Sequence, residues 1–134
     1  TDLLKYWVKA IRKAGLKEID GQIIADDRLF SGLALPGKWL WEDMGNYYGA
    51  APSALCIHDN FYFLYLRSLK RIGSPVKILS SKPQISSLFF RNFLTAAAKG
   101  SGDNAYIYCA PKQHLAILRG TIPAGQKKFT IKGS

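Results

Sequence analysis

The chain has 134 residues, of which 48% are hydrophobic and 21% are charged. This composition excludes extensive disorder, and the length is sufficient for one domain with a hydrophobic core. No stretch approaches the roughly 20 apolar residues of a membrane-spanning helix, so we expect no membrane span. The chain starts at Thr1, its only methionine is Met44, and it stops at Ser134 within a strand-like alternation. We therefore expect residues 1–134 to be a single domain excised from a longer polypeptide.

The net charge of +10 is concentrated in the second part of the chain. Residues 1–59 contain 7 Lys or Arg and 8 Asp or Glu, whereas residues 60–134 contain 12 Lys or Arg and one acidic residue, Asp103. An excess of this size indicates either an anionic neighbour or only a solvated basic face. The candidate neighbours are nucleic acid, an acidic membrane surface, a carboxylate-bearing polymer and another domain.

Two segments have the apolar spacing of an amphipathic helix. The first covers residues 3–14, with Asp2 as the expected N-cap and Gly15 as the expected stop. The second covers residues 85–98. Strands are expected at 19–25, 54–57, 61–66, 76–79, 105–109, 115–119 and 127–132.

The predicted strands are mostly joined by short turns. Residues 58–60 are expected to form a hairpin turn with residues that tolerate positive φ angles, and residues 121–125 are expected to form the last turn. Short connections favour antiparallel or mixed pairing. We therefore predict an α+β fold in which two helices pack with a mostly antiparallel or mixed β-sheet of about six or seven strands.

The most distinctive stretch is PGKWLWEDMGNYYGA at residues 36–50. It mixes four Trp or Tyr side chains with three glycines and a proline, a composition that fits neither a regular helix nor a strand. The whole connection, about residues 31–53, is long for a structureless loop, so we expect an ordered loop that packs or forms an interface. The four aromatic residues are Trp39, Trp41, Tyr47 and Tyr48.

A search for catalytic groups finds no complete set. Ser74 and Lys77 have the spacing of a serine nucleophile and its activating lysine, but the residues between them predict a strand, and the pair works from a helix. Cys56 and His58 would share one face of a strand, yet they lack a third group that orients the base. A stand-alone hydrolase that uses Cys56 or Ser74 as its nucleophile remains an alternative, but the sequence offers no base to activate either residue.

Neither a cofactor nor a metal is predicted. The four candidate aspartates, Asp26, Asp27, Asp43 and Asp59, fit no known metal-binding loop. Asp43 and Asp59 are expected instead to accept hydrogen bonds from loop backbone. Cys56 and Cys109 lack metal-binding spacing. They are expected to be unpaired and buried, with a disulfide in an oxidising compartment as the alternative.

A nucleic-acid-binding module is the alternative function. Lys70 and Arg71, together with strand tyrosines such as Tyr62 and Tyr65, form the basic and aromatic mixture that single-stranded nucleic acid binds. However, alternating aromatic residues on strands more often form one face of a core. No G-x-x-G loop or aromatic ribonucleoprotein signature is present, so our first expectation is that nucleic acid is not a partner.

Four phrases of the sequence carry a resemblance to a known family. They are Gly21-x-Ile23-x-x-Asp26-Asp27-x-x-Phe30; Pro36-x-x-Trp39-x-Trp41-x-Asp43 leading to Tyr47-Tyr48-Gly49-Ala50; Ser53-Ala54-Leu55 with Asp59-Asn60; and Gly120-x-Ile122-Pro123-x-Gly125 with Phe129-x-Ile131-Lys132-Gly133-Ser134. Together they resemble the penicillin-binding D-alanyl-D-alanine carboxypeptidase/endopeptidases of the low-molecular-mass class C type. The match extends over about residues 3–134.

In that family the chain leaves a serine-active, penicillin-recognising domain after its S-x-x-K segment, builds an inserted domain, and returns to supply S-x-N and K-T-G. This sequence resembles the inserted domain. The resemblance implies that Ser74 is not the family nucleophile, that residues 1–134 hold no catalytic residue, and that they are inactive alone. It implies a parent serine-type peptidase in the periplasm or cell envelope of a bacterium. The implied partners are the catalytic domain of the same polypeptide and the stem peptides of peptidoglycan.

The resemblance also gives expectations for individual residues. A structural or interface loop is expected to contain Trp39, Trp41, Asp43, Tyr47, Tyr48, Gly49, Asp59 and Asn60. Internal packing of the Trp rings together with an inter-domain surface is expected, and direct binding of substrate is the alternative. Stem peptides carry carboxylates, which a basic flank attracts by screened Coulomb forces. The residues expected to steer them are Lys70, Arg71, Lys127 and Lys128.

Overall fold

The computed structural model describes residues 2–30, 35 and 37–134, without the side chain of Asp2. Parts of two predictions therefore lie outside the described residues, namely the N-cap at Asp2 and positions 31–34 and 36 of the aromatic loop. Within these ranges the chain forms one α-helix, two short 3-10 helices and seven strands. Among the residues described, no helix is long and apolar enough to cross a membrane.

Helix α1 spans Asp2–Lys13, which confirms the first predicted helix. The chain leaves it through Gly15, whose φ of 89° favours glycine and whose N–H donates to the carbonyl of Arg12 at 3.0 Å. The apolar side chains of α1, such as Trp7 and Val8, are exposed. The expected packing of this helix's apolar face is therefore not seen.

The strands form two sheets that together confirm the predicted α+β class. In sheet A, β1 is central and pairs antiparallel with both β2 and β7. In sheet B, β6 pairs antiparallel with β5 on one edge and parallel with β3 and then β4 on the other. The strand bounds are β1 Tyr62–Arg67, β2 Lys77–Lys82, β3 Phe89–Asn92, β4 Thr95–Ala97, β5 Asn104–Tyr108, β6 Leu115–Pro123 and β7 Phe129–Gly133.

One hydrophobic cluster is shared by the two sheets. On β1, Tyr62, Leu64 and Leu66 are buried in it, while the intervening Phe63 and Tyr65 lie on the opposite face of sheet A. The alternation therefore leaves that outer face of sheet A outside the core. The other buried members of the cluster are Val76, Leu94, Ile107, Cys109, Ala116, Leu118, Ile122 and Ile131.

The two sheets are connected where the segment before β2 runs beside β4. Pro75 and Thr95 form an antiparallel bridge. The N–H of Val76 donates to the Leu94 carbonyl at 3.0 Å. The polar backbone of this junction is thereby satisfied inside the protein.

The second predicted helix is wrong, because residues 85–98 form β3 and β4. Burial alternates along this segment: Leu94 and Ala96 are buried, whereas Phe89 and Phe93 are 65% and 51% exposed. Apolar positions that suggested a helix, such as Phe89 and Ala96, therefore lie on strands. Parallel pairing with β6, which is distant in sequence, selects the strand.

Two predicted strands are also absent. Residues 19–25 are irregular, and Ile23 and Ile24 are 87% and 84% exposed. Residues 54–57 are irregular as well and lead into the 3-10 helix His58–Asn60. Among the described residues neither segment pairs with a strand, and an isolated strand is not stable in water. The last turn also begins later than predicted, because β6 continues to Pro123.

Candidate functional site

The aromatic loop is anchored by the buried side chain of Asn46. Its oxygen accepts a hydrogen bond from the N–H of Ile107 at 3.1 Å, and its amide donates to the carbonyl of Glu42. Its backbone forms a bridge with Gly133. Asn46 thus connects the loop to β5 in sheet B through its side chain and to β7 in sheet A through its backbone. The sequence analysis missed Asn46, since an asparagine in a loop carries no signal of a distant partner.

The loop backbone approaches its surroundings too closely for side chains at two positions. A Cβ atom on Gly45 would collide with the backbone of Ile107, and one on Gly49 would collide with the carbonyl of Asp43. At the same place Ser134 donates hydrogen bonds to the carbonyls of Gly45, at 3.1 Å, and Met44, at 2.9 Å. Gly49, which the sequence placed in this loop, is therefore required for its compact course.

The aromatic rings of the loop remain accessible. Trp39 and Trp41 are 37% and 51% exposed, so these rings are only partly packed inside the protein, and the expected inter-domain surface stays a prediction. The Trp41 ring centroid lies 6.2 Å from that of Tyr108, and Tyr47 and Tyr48 meet edge to face at 5.2 Å. The rings therefore contact each other and β5 at their margins and leave much of their surface available to a partner.

Asp43 acts on this loop through its charge. Its carboxylate makes no hydrogen bond within the described residues, so its role as a hydrogen-bond acceptor stays a prediction. The pKa of Tyr48 is raised, first by partial burial of the hydroxyl and then by the negative charge of Asp43. The hydrogen bonds that fix this loop come instead from Asn46.

The 3-10 helix His58–Asn60 confirms the expected positive φ angles. Asp59 and Asn60 both have φ near 54°. The Asn60 side-chain oxygen accepts from the N–H of Ile57 at 3.3 Å, and its amide donates to the carbonyl of Ala51 at 3.2 Å. The Asp59 carboxylate makes no such bond among the residues described, so Asn60 alone of this predicted pair fixes the turn.

The basic residues assigned to steering lie at one end of sheet A. The N–H of Ser68 donates to the carbonyl of Gln126, and the N–H of Gln126 donates to the Ser68 hydroxyl, both at 3.0 Å. These bonds hold the connection after β1 against the turn before β7. The two segments carry the four side chains Lys70, Arg71, Lys127 and Lys128, all of them exposed.

The Ser74–Lys77 spacing has no catalytic geometry. Ser74 is buried in the extended segment that pairs with β4, where its carbonyl accepts the N–H of Ala96 at 2.8 Å. Lys77 is the first residue of β2 and is exposed. The extended backbone agrees with the interpretation of this spacing as a chance match.

The two thiols are free and lie in different environments. Cys109 is buried, as expected, and burial raises the pKa of its thiol, which disfavours the reactive thiolate. Cys56 is exposed, so its expected burial is wrong. Among the described residues, no group of three or more His, Cys, Asp or Glu side chains could hold a metal ion.

A cavity of about 540 Å3 lies beside the aromatic loop. Its wall includes Met44, Leu88, Cys109 and His114. The buried Tyr62 also borders it, and the Tyr62 hydroxyl has no hydrogen-bond partner among the described residues. Desolvation, and to a lesser degree the nearby Cys109, raises the pKa of this hydroxyl. The cavity is bounded mainly by apolar side chains and therefore suits an apolar group.

Comparison with known proteins identifies the family. A sequence profile of the D-Ala-D-Ala carboxypeptidase 3 (S13) family matches residues 1–133, and the chain belongs to this family. Over 68 residues it is 31% identical to the D-alanyl-D-alanine carboxypeptidase DacB of Haemophilus influenzae. The family resemblance noted in the sequence is thereby confirmed.

A solved structure has the same fold. The crystal structure of penicillin binding protein 4 (dacB) from Haemophilus influenzae matches with a TM-score of 0.68 and 20% sequence identity, over 98% of this chain and 29% of that one. The 68-residue alignment with DacB covers 51% of this chain and 14% of DacB. The chain therefore spans a minor part of the length of both relatives.

Proposed function

We propose that residues 1–134 are a non-catalytic domain inserted in a serine-type D-Ala-D-Ala carboxypeptidase/endopeptidase that acts on peptidoglycan in the periplasm or cell envelope. Membership of the S13 family supports the reaction class. The setting of the candidate nucleophiles supports the non-catalytic role. Ser74 is enclosed in a strand-like junction, and burial disfavours the thiolate of Cys109.

The exposed apolar residues at the start of the chain support a contact with the catalytic domain. Trp7 and Val8 of α1, and Ile23, Ile24 and Phe30 in the irregular segment, all expose much of their surface. Large apolar side chains that are exposed together in one region often mark an interaction site. In the proposed parent enzyme these side chains, together with Trp39 and Trp41, contact the penicillin-recognising domain.

The basic end of sheet A supports a second role, which is to attract substrate. Lys70, Arg71, Lys127 and Lys128 are exposed at one end of the sheet, and stem peptides carry carboxylates. Changing all four to Gln is expected to weaken binding of the parent enzyme to sacculi at low salt, with less effect at high salt because exposed charges are screened. Unchanged binding at low salt would refute this role.

Labelling with a fluorescent penicillin tests the proposed function. The 134-residue chain and the longer polypeptide that contains it are incubated with the reagent and separated by denaturing electrophoresis. We expect covalent labelling of the longer polypeptide and none of the chain. A labelled 134-residue chain, with the label lost in Ser74→Ala or Cys56→Ala, would show that the nucleophile lies within these residues.

A further inference from the structure

The outer face of sheet A has a row of aromatic rings beneath lysine side chains. Phe61 and Phe63 lie along β1 and its entry, with their ring centroids 5.5 Å apart. The Lys132 ammonium lies 5.3 Å from the Phe61 centroid and 5.7 Å from that of Phe63. It also lies 5.2 Å from the ring of Tyr47 in the aromatic loop. Three rings from two segments therefore position one ammonium group by cation–π attraction.

Two further lysines complete this face. The Lys128 ammonium lies 4.0 Å from the ring centroid of Tyr65. Phe63 on β1 pairs with Lys82 on β2 at one side and with Lys132 on β7 at the other. Directly paired residues point to the same face of a sheet, so both lysines lie on the face of Phe63. Strands β1, β2 and β7 contain no acidic residue. Two aspartates lie nearby, since Asp59 borders the same cavity as Lys82 and Phe63, and Asp103 borders the same cavity as Lys132. Neither forms an ion pair with the three lysines among the described residues, so the lysines leave the face with a net positive charge.

We propose that this face binds the carboxylates of peptidoglycan stem peptides through Lys82, Lys128 and Lys132. This inference rests on the proposed function, which supplies peptidoglycan as the partner. The cation–π contacts hold two of the ammonium groups in place before binding, which reduces the entropy lost when a carboxylate binds. Each ammonium group has three N–H donors, and these can bind an anion.

The ring positions favour carboxylates over nucleic acid. Single-stranded nucleic acid binds aromatic platforms by stacking its bases on open ring faces. Here Lys128 covers Tyr65, and Lys132 lies over Phe61 and Phe63. The rings are also half-buried. These faces are occupied by ammonium groups, so the contact offered to a ligand is positive charge at fixed positions.

Co-sedimentation with purified sacculi at low salt tests the inference. The chain is compared with the double variant Lys82→Gln, Lys132→Gln, and with the matched control Lys9→Gln, Lys13→Gln, which removes equal charge from α1. We expect the first variant to bind about tenfold more weakly and the control to bind like the parent chain. Near-UV circular dichroism confirms that each variant keeps its tertiary structure.

Two further measurements identify the chemistry. Phe63→Leu keeps the charge and an apolar side chain but removes one ring beneath Lys132, and we expect a smaller loss of binding. Sacculi whose carboxylates have been converted to amides are expected to lose binding of the parent chain. Equal binding by the two double variants, undiminished binding to amidated sacculi, or tighter binding to an oligothymidylate than to sacculi would each overturn the inference. Penicillin labelling of the longer polypeptide does not depend on these lysines, so its result judges the proposed function separately.

Discussion

The side-chain oxygen of Asn46 accepts a hydrogen bond from the backbone N–H of Ile107, 61 positions later in the chain. This buried bond joins the aromatic loop to sheet B. Asn46→Ala is expected to leave the Ile107 N–H without a partner and to lower the free energy of unfolding by ~1–3 kcal/mol. Urea denaturation measures the change. Asn104→Ala, which removes an exposed bond to the Ser101 carbonyl, serves as the control and is expected to have a much smaller effect.

Gly45→Ala is expected to destabilise the same region for a steric reason. The added methyl group would collide with the backbone of Ile107, which the surrounding sheet holds in place. We expect a loss of ~1–3 kcal/mol in the free energy of unfolding, as for other overpacked sites. Gly21→Ala, where nothing lies within 4 Å, is the matched control. Equal stability of the two variants would show that the loop backbone adjusts freely.

Tyr62→Phe tests the unpartnered hydroxyl in the core. Removing a buried hydroxyl that makes no hydrogen bond in the described residues is expected to stabilise the protein by up to ~1 kcal/mol at neutral pH. Above pH ~10 the unfolded chain releases the tyrosine proton, whereas burial lets the folded protein retain it. The unfolded state then binds fewer protons, so stability falls as the pH rises through this range.

The pH dependence of Tyr62→Phe should therefore be shallower than that of the parent chain above pH ~10. Thermal unfolding across this range measures it. Tyr47→Phe, which removes an exposed phenol, serves as the control. Identical slopes for all three proteins would show that Tyr62 titrates as an exposed tyrosine does.

The two thiols are expected to react at very different rates. Cys56 is exposed and Cys109 is buried, with the pKa of its thiol raised. A chromogenic disulfide reagent should titrate one thiol rapidly in the native protein and the second only after unfolding. Cys56→Ser should abolish the rapid phase, and Cys109→Ser should preserve it. A native protein with no titratable thiol would instead indicate a disulfide.

Elements whose apolar period is unambiguous were predictable from the sequence. The helical spacing ahead of Gly15 gave α1, continuous apolar and aromatic runs gave β1 and β5, and alternation gave β7, each strand within one or two residues. The prediction of a helix at residues 85–98 was wrong because Leu, Phe and Ala at mixed spacing are compatible with the helical period and with the strand period. Only its pairing with β6, which no local pattern reports, decides between them.

The site was predictable in outline and not in its anchors. The rings of residues 39–48 mark an unusual loop, and its role as an interface stays a prediction. What holds the loop is Asn46, whose partners lie on two other strands, and the close approach of Gly45 to β5. Such contacts depend on which distant segments meet, so a single sequence does not carry them. The proximity of the segments that carry Lys70 and Lys127 at one end of sheet A likewise depends on which distant segments meet.

The position of β6 has a consequence for synthesis of the chain. β3, β4 and β5 all precede it, and all three take their ladder partners from it. A nascent chain that has not yet emerged beyond Pro123 therefore presents three unpaired strand edges, the state most prone to intermolecular pairing. Ribosomal stalling before this point would favour aggregation, whereas stalling after it would leave sheet B complete.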